Sequence, residues 1–336
     1  MRARTAWVLP GFAALLAIVV ILALGAGRFG IGWLELGQLV TGHAADTDAP
    51  RWGNIFFQLR LPRILAAALV GSSLAVAGAS YQAMFANPLV SPNLCGVLAG
   101  SSFGAALGMV ISTSWIVVQI STFVCGLAAV GVALGIAAFF RRSSDPMLIL
   151  VLGGVVATAL FSALLAIVKY LADPYDKLPS IVYWLMGSFA LSEWSLLART
   201  VLPMLMALGV LMAIAGRLNV LSLGDEPARA LGLSAGTLRL VAILMATILS
   251  SLTVVIGGEI GWIGLIIPHA ARLLTGPDNR LLLPASALLG AAFLVGVDTA
   301  ARTLFRSEIP VGIITALLGV VTFIAVLGRV RKGWAS

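Results

Sequence analysis

Residues 217–239 read RLNVLSLGDEPARALGLSAGTLR, the one long polar stretch between two strongly apolar runs. A turn of about four residues would join two neighbouring helices, yet this connection is several times longer. Within it Gly224 precedes the acids Asp225 and Glu226, Pro227 follows, and Gly232 closes the pattern. Acids at a helix start suit the macrodipole, proline suits the first turn, and glycine suits the end. The pattern predicts a short helix from Asp225 to Leu231 and a second helical run into the next apolar segment. A short helix can lie on a bilayer as an interfacial anchor. The acids here are disfavoured by anionic lipid, so the insert reads as a surface made for another protein.

Outward from the insert the chain is apolar. Of its 336 residues 60% are hydrophobic and 10% charged, with mean hydropathy +1.08; a soluble domain carries about 25% charged residues. Runs of about 20 apolar residues suffice to cross a bilayer as helices. They fall near 7–27, 63–85, 93–113, 115–139, 147–171, 196–216, 238–257, 260–275, 281–300 and 310–328. The expected fold is therefore all-α, a single transmembrane domain over 1–336 with about ten helices and a polar coupling loop at 217–239. No period-two alternation points to a β-barrel. The first run is longer than a signal-peptide core and reads as a retained span. Repeated small residues, Gly100, Gly104 and Gly108, and Gly71, Ala75 and Ala79, predict close helix packing.

Ten spans put both termini on one side. Lys and Arg are in modest excess there, led by the Arg141–Arg142 pair and the RVRK tail at 329–332, which makes that side cytoplasmic. The other side is also basic, with Arg60 and Arg63 before span two and Arg302 and Arg306 after span nine. Such clusters either meet lipid phosphates or steer an acidic partner. A weak echo, LRL at 59–61 and 238–240, and ANPLVSP at 86–92 against IIPHAAR at 266–272, fits an inverted internal repeat.

Chemistry is sparse. No GxxxxGK[ST] loop occurs and there are only three lysines, so ATP has no phosphate cradle in this chain. Cys95 and Cys125 read as packing residues, and His43 and His269 form no ligand cluster. No catalytic constellation nominates an enzyme. Asp298 lies four residues before Arg302 and can pair with it on one helix face, and Glu259 reads as a residue of a solvated loop. The chain thus resembles a pathway lacking its own energy source.

Five ordered motifs carry a family resemblance over nearly the whole chain. They are QLRLPRILAAALVGSSLAVAGASYQAMFANPLVSPNLCGVLAG at 58–100, YWLMGSF at 183–189, LGDEPARALGL at 223–233, IGWIGLIIPHAARLLTGPDNRLLLPASALLGA at 260–291 and SEIPVGIITALLG at 307–319. Together they resemble FecCD-type permeases, the inner-membrane subunits of ABC importers for iron–siderophores, haem and cobalamin. The resemblance implies a homodimer in the bacterial inner membrane, with its pathway at the dimer interface and both termini cytoplasmic. Two ATPase subunits would bind ATP and Mg²⁺ in place of this chain, which holds no cofactor or metal of its own. A periplasmic binding protein would deliver cargo, and no nucleic acid is implied.

By the family pattern Gly224, Asp225, Glu226, Ala228, Arg229, Leu231 and Gly232 form the ATPase-coupling helix. Arg60, Arg63 and Arg302, with Arg306 sharing or replacing the last, would dock the binding protein. Ser143, Ser144, Asp145 and Pro146 fall at the cytoplasmic gate, and spans five and ten would line the path. The chain departs from the pattern in the shorter ARTLFRSEIP segment, in GVVTFIAVLGR and at Cys95. The expected cargo is an iron chelate, ferric siderophore or haem. Cobalamin import is the alternative, and an ion-coupled secondary transporter is a more distant one.

Overall fold

The computed structural model describes residues 7–27, 37–38, 41, 49–140, 146–304 and 307–333. Among the described residues there are helices and no strands. Ten helices correspond to the ten expected spans: α1 Val8–Gly25, α2 Leu61–Met84, α3 Val97–Ile111, α4 Trp115–Phe139, α5 Pro146–Leu171, α6 Trp194–Ala213, α7 Ala235–Gly257, α8 Ile263–Thr275, α9 Asn279–Thr303 and α10 Val311–Gly333. By length and composition seven could cross a bilayer, while α3, α8 and the described part of α10 are shorter apolar helices.

α2 and α7 form the centre, and their sequences explain why. α2 is rich in Gly, Ala and Ser, and lipid gives no hydrophobic drive for helix association, so close backbone approach supplies the packing. A Cβ at Gly71 would collide with the Gly290 carbonyl of α9, and one at Gly78 with the Gly264 carbonyl of α8. The Gly100 and Gly104 steps on α3 meet the Cys125 and Ser121 carbonyls of α4 in the same way. Both small-residue stripes are thus packing faces. α1 is peripheral and packs mainly on α9.

Several elements lie outside the ten-span expectation, among them a short helix Ala49–Gly53 and a π-helix Asn54–Arg60 that lead directly into α2. Span six stops at Ile214, and a separate short helix, Ala215–Leu221, turns away from it. A helix at Lys177–Leu185 follows α5, with Ile181 buried. The YWLMGSF motif at its end is a junction: Ser188 N donates to the Gly257 carbonyl at 2.9 Å, and Val311 N donates to the Gly187 carbonyl at 2.8 Å. It therefore ties the end of α7 to the start of α10. The sequence echo carries over in part only. IIPHAAR lies inside α8, whereas ANPLVSP is a non-helical link between α2 and the 3₁₀ turn Pro92–Cys95.

Candidate functional site

The insert folds much as its punctuation predicts. Gly224 sits at φ 107°, a conformation open mainly to glycine, and a helix runs over Asp225–Ala230. Its end is a Schellman motif: Gly232 at φ 77° donates to the Arg229 carbonyl at 2.9 Å, and Leu233 N to the Ala228 carbonyl at 2.9 Å. Glycine thus stands one position beyond the helix cap. Leu223 and Leu231 are 67% and 65% exposed, and Glu226 and Arg229 are exposed beside them. Ala228 is fully buried in the chain's own core, so it supports the helix from beneath and presents no surface to a partner.

Two polar joints fasten the insert. The Asp225 carboxylate accepts from Arg239 near the start of α7, with Nη1 to Oδ2 at 2.9 Å and Nη2 to Oδ1 closer still. The Arg239 hydrogen bonds hold the Asp225 carboxyl below the usual carboxylate range. The second joint is Asn219, on the Ala215–Leu221 helix. Its Oδ1 accepts from Asn279 N at 2.8 Å and Asn279 Nδ2 at 2.7 Å, while its Nδ2 donates to Asp278 Oδ1 at 2.6 Å. Asp278 Oδ1 also caps α9 by accepting from Arg280 N at 3.0 Å. The insert is bolted to α7 at one end and to α9 at the other. Sequence reasoning missed Asn219; its signal was an amide standing in an otherwise apolar LNVL.

The arginines expected to dock a binding protein are placed differently from the expectation of an exposed basic patch. Arg60 is 5% exposed and Arg302 7%. Arg60 Nη1 donates to the Leu24 carbonyl at 2.7 Å, and Arg302 donates to the Ala26 and Ala23 carbonyls at 2.7 and 2.6 Å. Two guanidiniums therefore satisfy the final carbonyls of α1, where the helix dipole favours positive charge. Arg63 makes a bidentate pair with Asp298, Nε and Nη2 both reaching Oδ1 at 3.0 and 2.8 Å with Oδ2 also at 3.0 Å from Nε, and Nη1 reaches Glu308 at 3.1 Å. The expected partner of Asp298, Arg302, stands further off at 3.7 Å. Burial follows because α1 ends here with carbonyls that need donors. Arg306, Ser143, Ser144 and Asp145 lie outside the described residues; Pro146 is the first residue of α5.

Glu259 is also corrected. Instead of a solvated loop it lines a cavity of about 310 Å³ with Ser91, Asn93 and Trp262. Cys95 is a buried free thiol and Cys125 a partly buried one. The described faces of α5 and α10 leave large apolar side chains uncovered, among them Leu152, Val155 and Val156 on α5 and Leu317, Val321 and Ile324 on α10.

Comparison with known proteins agrees with this arrangement. The chain is 39% identical over 327 residues to the molybdate import system permease protein MolB of Haemophilus influenzae, covering 97% of this chain and 96% of that protein. It is 36% identical over 324 residues to the hemin transport system permease protein HmuU of Yersinia pestis, covering 95% of each. A solved structure described as a metal-chelate type ABC transporter in an inward-facing conformation superposes with a TM-score of 0.86 at 39% identity, over 96% of this chain and 98% of that one. The model of the FecCD transport family matches residues 15–329. A multi-pass, all-helical chain with a bolted polar insert and these relatives belongs to the FecCD transport family of ABC importer permeases.

Proposed function

We propose that this chain is the translocation subunit of a bacterial inner-membrane importer for a metal chelate, a ferric siderophore or haem, driven by separate ATPase subunits. The observation that carries the reading is the insert. It presents Glu226 and Arg229 outward on a helix, and Leu223 and Leu231 on its flanks, in an insert fixed to α7 and α9, in a chain without a P-loop. ATP and Mg²⁺ belong to the partner ATPase, for which this helix is the contact. The uncovered apolar faces of α5 and α10 fit a second copy of the chain around a shared path. The Lys and Arg bias supports a cytoplasmic side for the termini and the insert.

A substrate-binding protein docks at the opposite end. There Arg60, Arg63 and Arg302 act from beneath the surface, holding α1, Asp298 and Glu308 in place; Glu308 remains 31% exposed. The metal-chelate structural relative and the haemin permease support the cargo class. Molybdate is a second reading, supported by the MolB relative and its 39% identity; cobalamin is a third member of the same panel. The test is ATPase stimulation of the complex reconstituted with its ATPase and binding protein, scanned over ferric siderophores, haemin, cyanocobalamin and molybdate. Stimulation by a ferric siderophore or haemin is expected, and stimulation by molybdate alone would move the assignment.

A further inference from the structure

The link between α7 and α8 is held in an unusual conformation. Gly258 stands at φ 70° and Trp262 at φ 71°; for a bulky side chain the left-handed region is an outlier that surrounding structure must enforce. The enforcement is visible. Gly187 and Gly312 approach the Glu259 carbonyl so closely that a Cβ on either would fall at 2.8 or 2.6 Å from it. The indole of Trp262 lies across Gly319 of α10, where any side chain would collide with the ring, and it meets Phe323 edge-on at 6.1 Å.

The cavity beside this link is bordered by two segments that pack against the two helices read as walls of the path. Ser91 and Asn93 on one side lead into Leu94 and Gly96, which pack against Gly154, Ala157 and Thr158 of α5. Trp262 on the other side packs against α10. Leu74 and Leu98 complete an apolar wall. Its charged group is the Glu259 carboxylate, whose one hydrogen bond among the described residues comes from Ser102 Oγ at 3.4 Å, too long to satisfy a carboxylate. Lys169 on α5 is the nearby positive charge, and it makes no ion pair with Glu259 within 4.0 Å. An under-bonded carboxylate with an exposed Asn93 amide beside it accepts hydrogen bonds from whatever enters.

We propose that this cavity is a cargo-contact subsite in which Glu259 receives a positively charged or hydrogen-bond-donating edge of the transiting molecule, such as an ammonium or amide of a metal chelate, and repels free oxyanions. This rests on the reading of α5 and α10 as walls of the path. Within the metal-chelate class it favours chelates carrying amine or amide groups over the carboxylate-bearing haem. Trp262 then connects occupancy to α10, because the same short link holds the carboxylate and the ring.

The subsite is tested without knowing the cargo. In the full complex in proteoliposomes, with Cys125→Ser and Asn93→Cys, the cationic thiol reagent MTSET is compared with the anionic MTSES, each corrected for its rate with free thiol. The cationic reagent is expected to react about tenfold faster, and Glu259→Gln is expected to bring the ratio close to one. A ratio near one with Glu259 intact, or one unmoved by Glu259→Gln, overturns the subsite. Uptake of ferrioxamine B, an ammonium-bearing ferric chelate, is measured in the same preparations. A half-saturation raised about tenfold in Glu259→Gln supports cargo contact; an unchanged one overturns it. If no chelate drives uptake in the wild-type complex, the metal-chelate assignment fails while the thiol ratio still decides whether the cavity selects charge.

Discussion

Replacing Asn219 by alanine should loosen the joint between the insert and α9. Asn279 is 3% exposed, and both its backbone N and its Nδ2 donate to Asn219 Oδ1, at 2.8 and 2.7 Å. Removing the carboxamide leaves two buried donors without that acceptor. Each such donor costs about 1–3 kcal/mol, and water entering the half-exposed site vacated by Asn219 brings the total to the low end, about 2 kcal/mol. Asp278 loses a donor too, but it is exposed and water replaces the bond. About 2 kcal/mol corresponds to a local opening roughly thirtyfold more populated. Hydrogen-exchange mass spectrometry reads that population at the first turn of α9, where Leu281 and Leu282 N donate to the Asp278 carbonyl. These amides should exchange roughly thirtyfold faster in Asn219→Ala. Asn279→Ala added to that variant should change little further, since the two residues share one interaction. Exchange equal to wild type in Asn219→Ala would refute the reasoning.

Three further outcomes follow from other contacts. Arg63→Gln removes the bidentate partner of Asp298, which is 1% exposed and keeps, among the described residues, only Arg302 at 3.7 Å, and should destabilise the protein by about 3 kcal/mol; adding Asp298→Asn should recover part of the loss in thermal unfolding in detergent, and a harmless single variant would contradict the pairing. Gly78→Ala drives a methyl into the Gly264 carbonyl and should eliminate the monodisperse protein in size-exclusion chromatography, whereas Gly131→Ala, with no atom within 4 Å of the new carbon, should behave as wild type. The depressed Asp225 carboxyl contributes stability that is present above its unfolded pKa, about 4, and is lost as pH falls through the lower folded value. Exchange in 225–233, corrected for its intrinsic rate, should therefore stay flat from neutral pH down to about 5 and accelerate only below about 4; Arg239→Gln should remove that acid step, and a step near neutrality would contradict the assignment.

The spans were legible because a bilayer demands about 20 apolar residues in a helix, a one-dimensional signal. The helix of the insert was legible because Gly224, Pro227 and Gly232 are local instructions that act within a turn or two of their own position. What the sequence hid depends on distant partners. Arg60 and Arg302 read as exposed because most arginines are, and their burial is set by the carbonyls at the end of α1, 36 residues from Arg60 to Leu24 and 276 from Arg302 to Ala26. Asn219 finds its partner 60 residues on, and Glu259 lines a cavity whose opposite side is the 91–93 turn. The break at Ile214 escaped notice because Ala213–Ala215 is as apolar and helix-forming as the span before it.

The central claim is that energy enters through the exposed face of the Asp225–Ala230 helix from an ATPase that this chain lacks. Its most direct measurement is cargo uptake into proteoliposomes holding the permease with its ATPase partner and binding protein, in wild type and Glu226→Arg. The account predicts uptake that requires ATP, survives a protonophore, and is lost with ATPase stimulation in Glu226→Arg while the permease assembly remains intact. Uptake that proceeds without ATP and collapses with the protonophore, or coupling unchanged in Glu226→Arg, would contradict it.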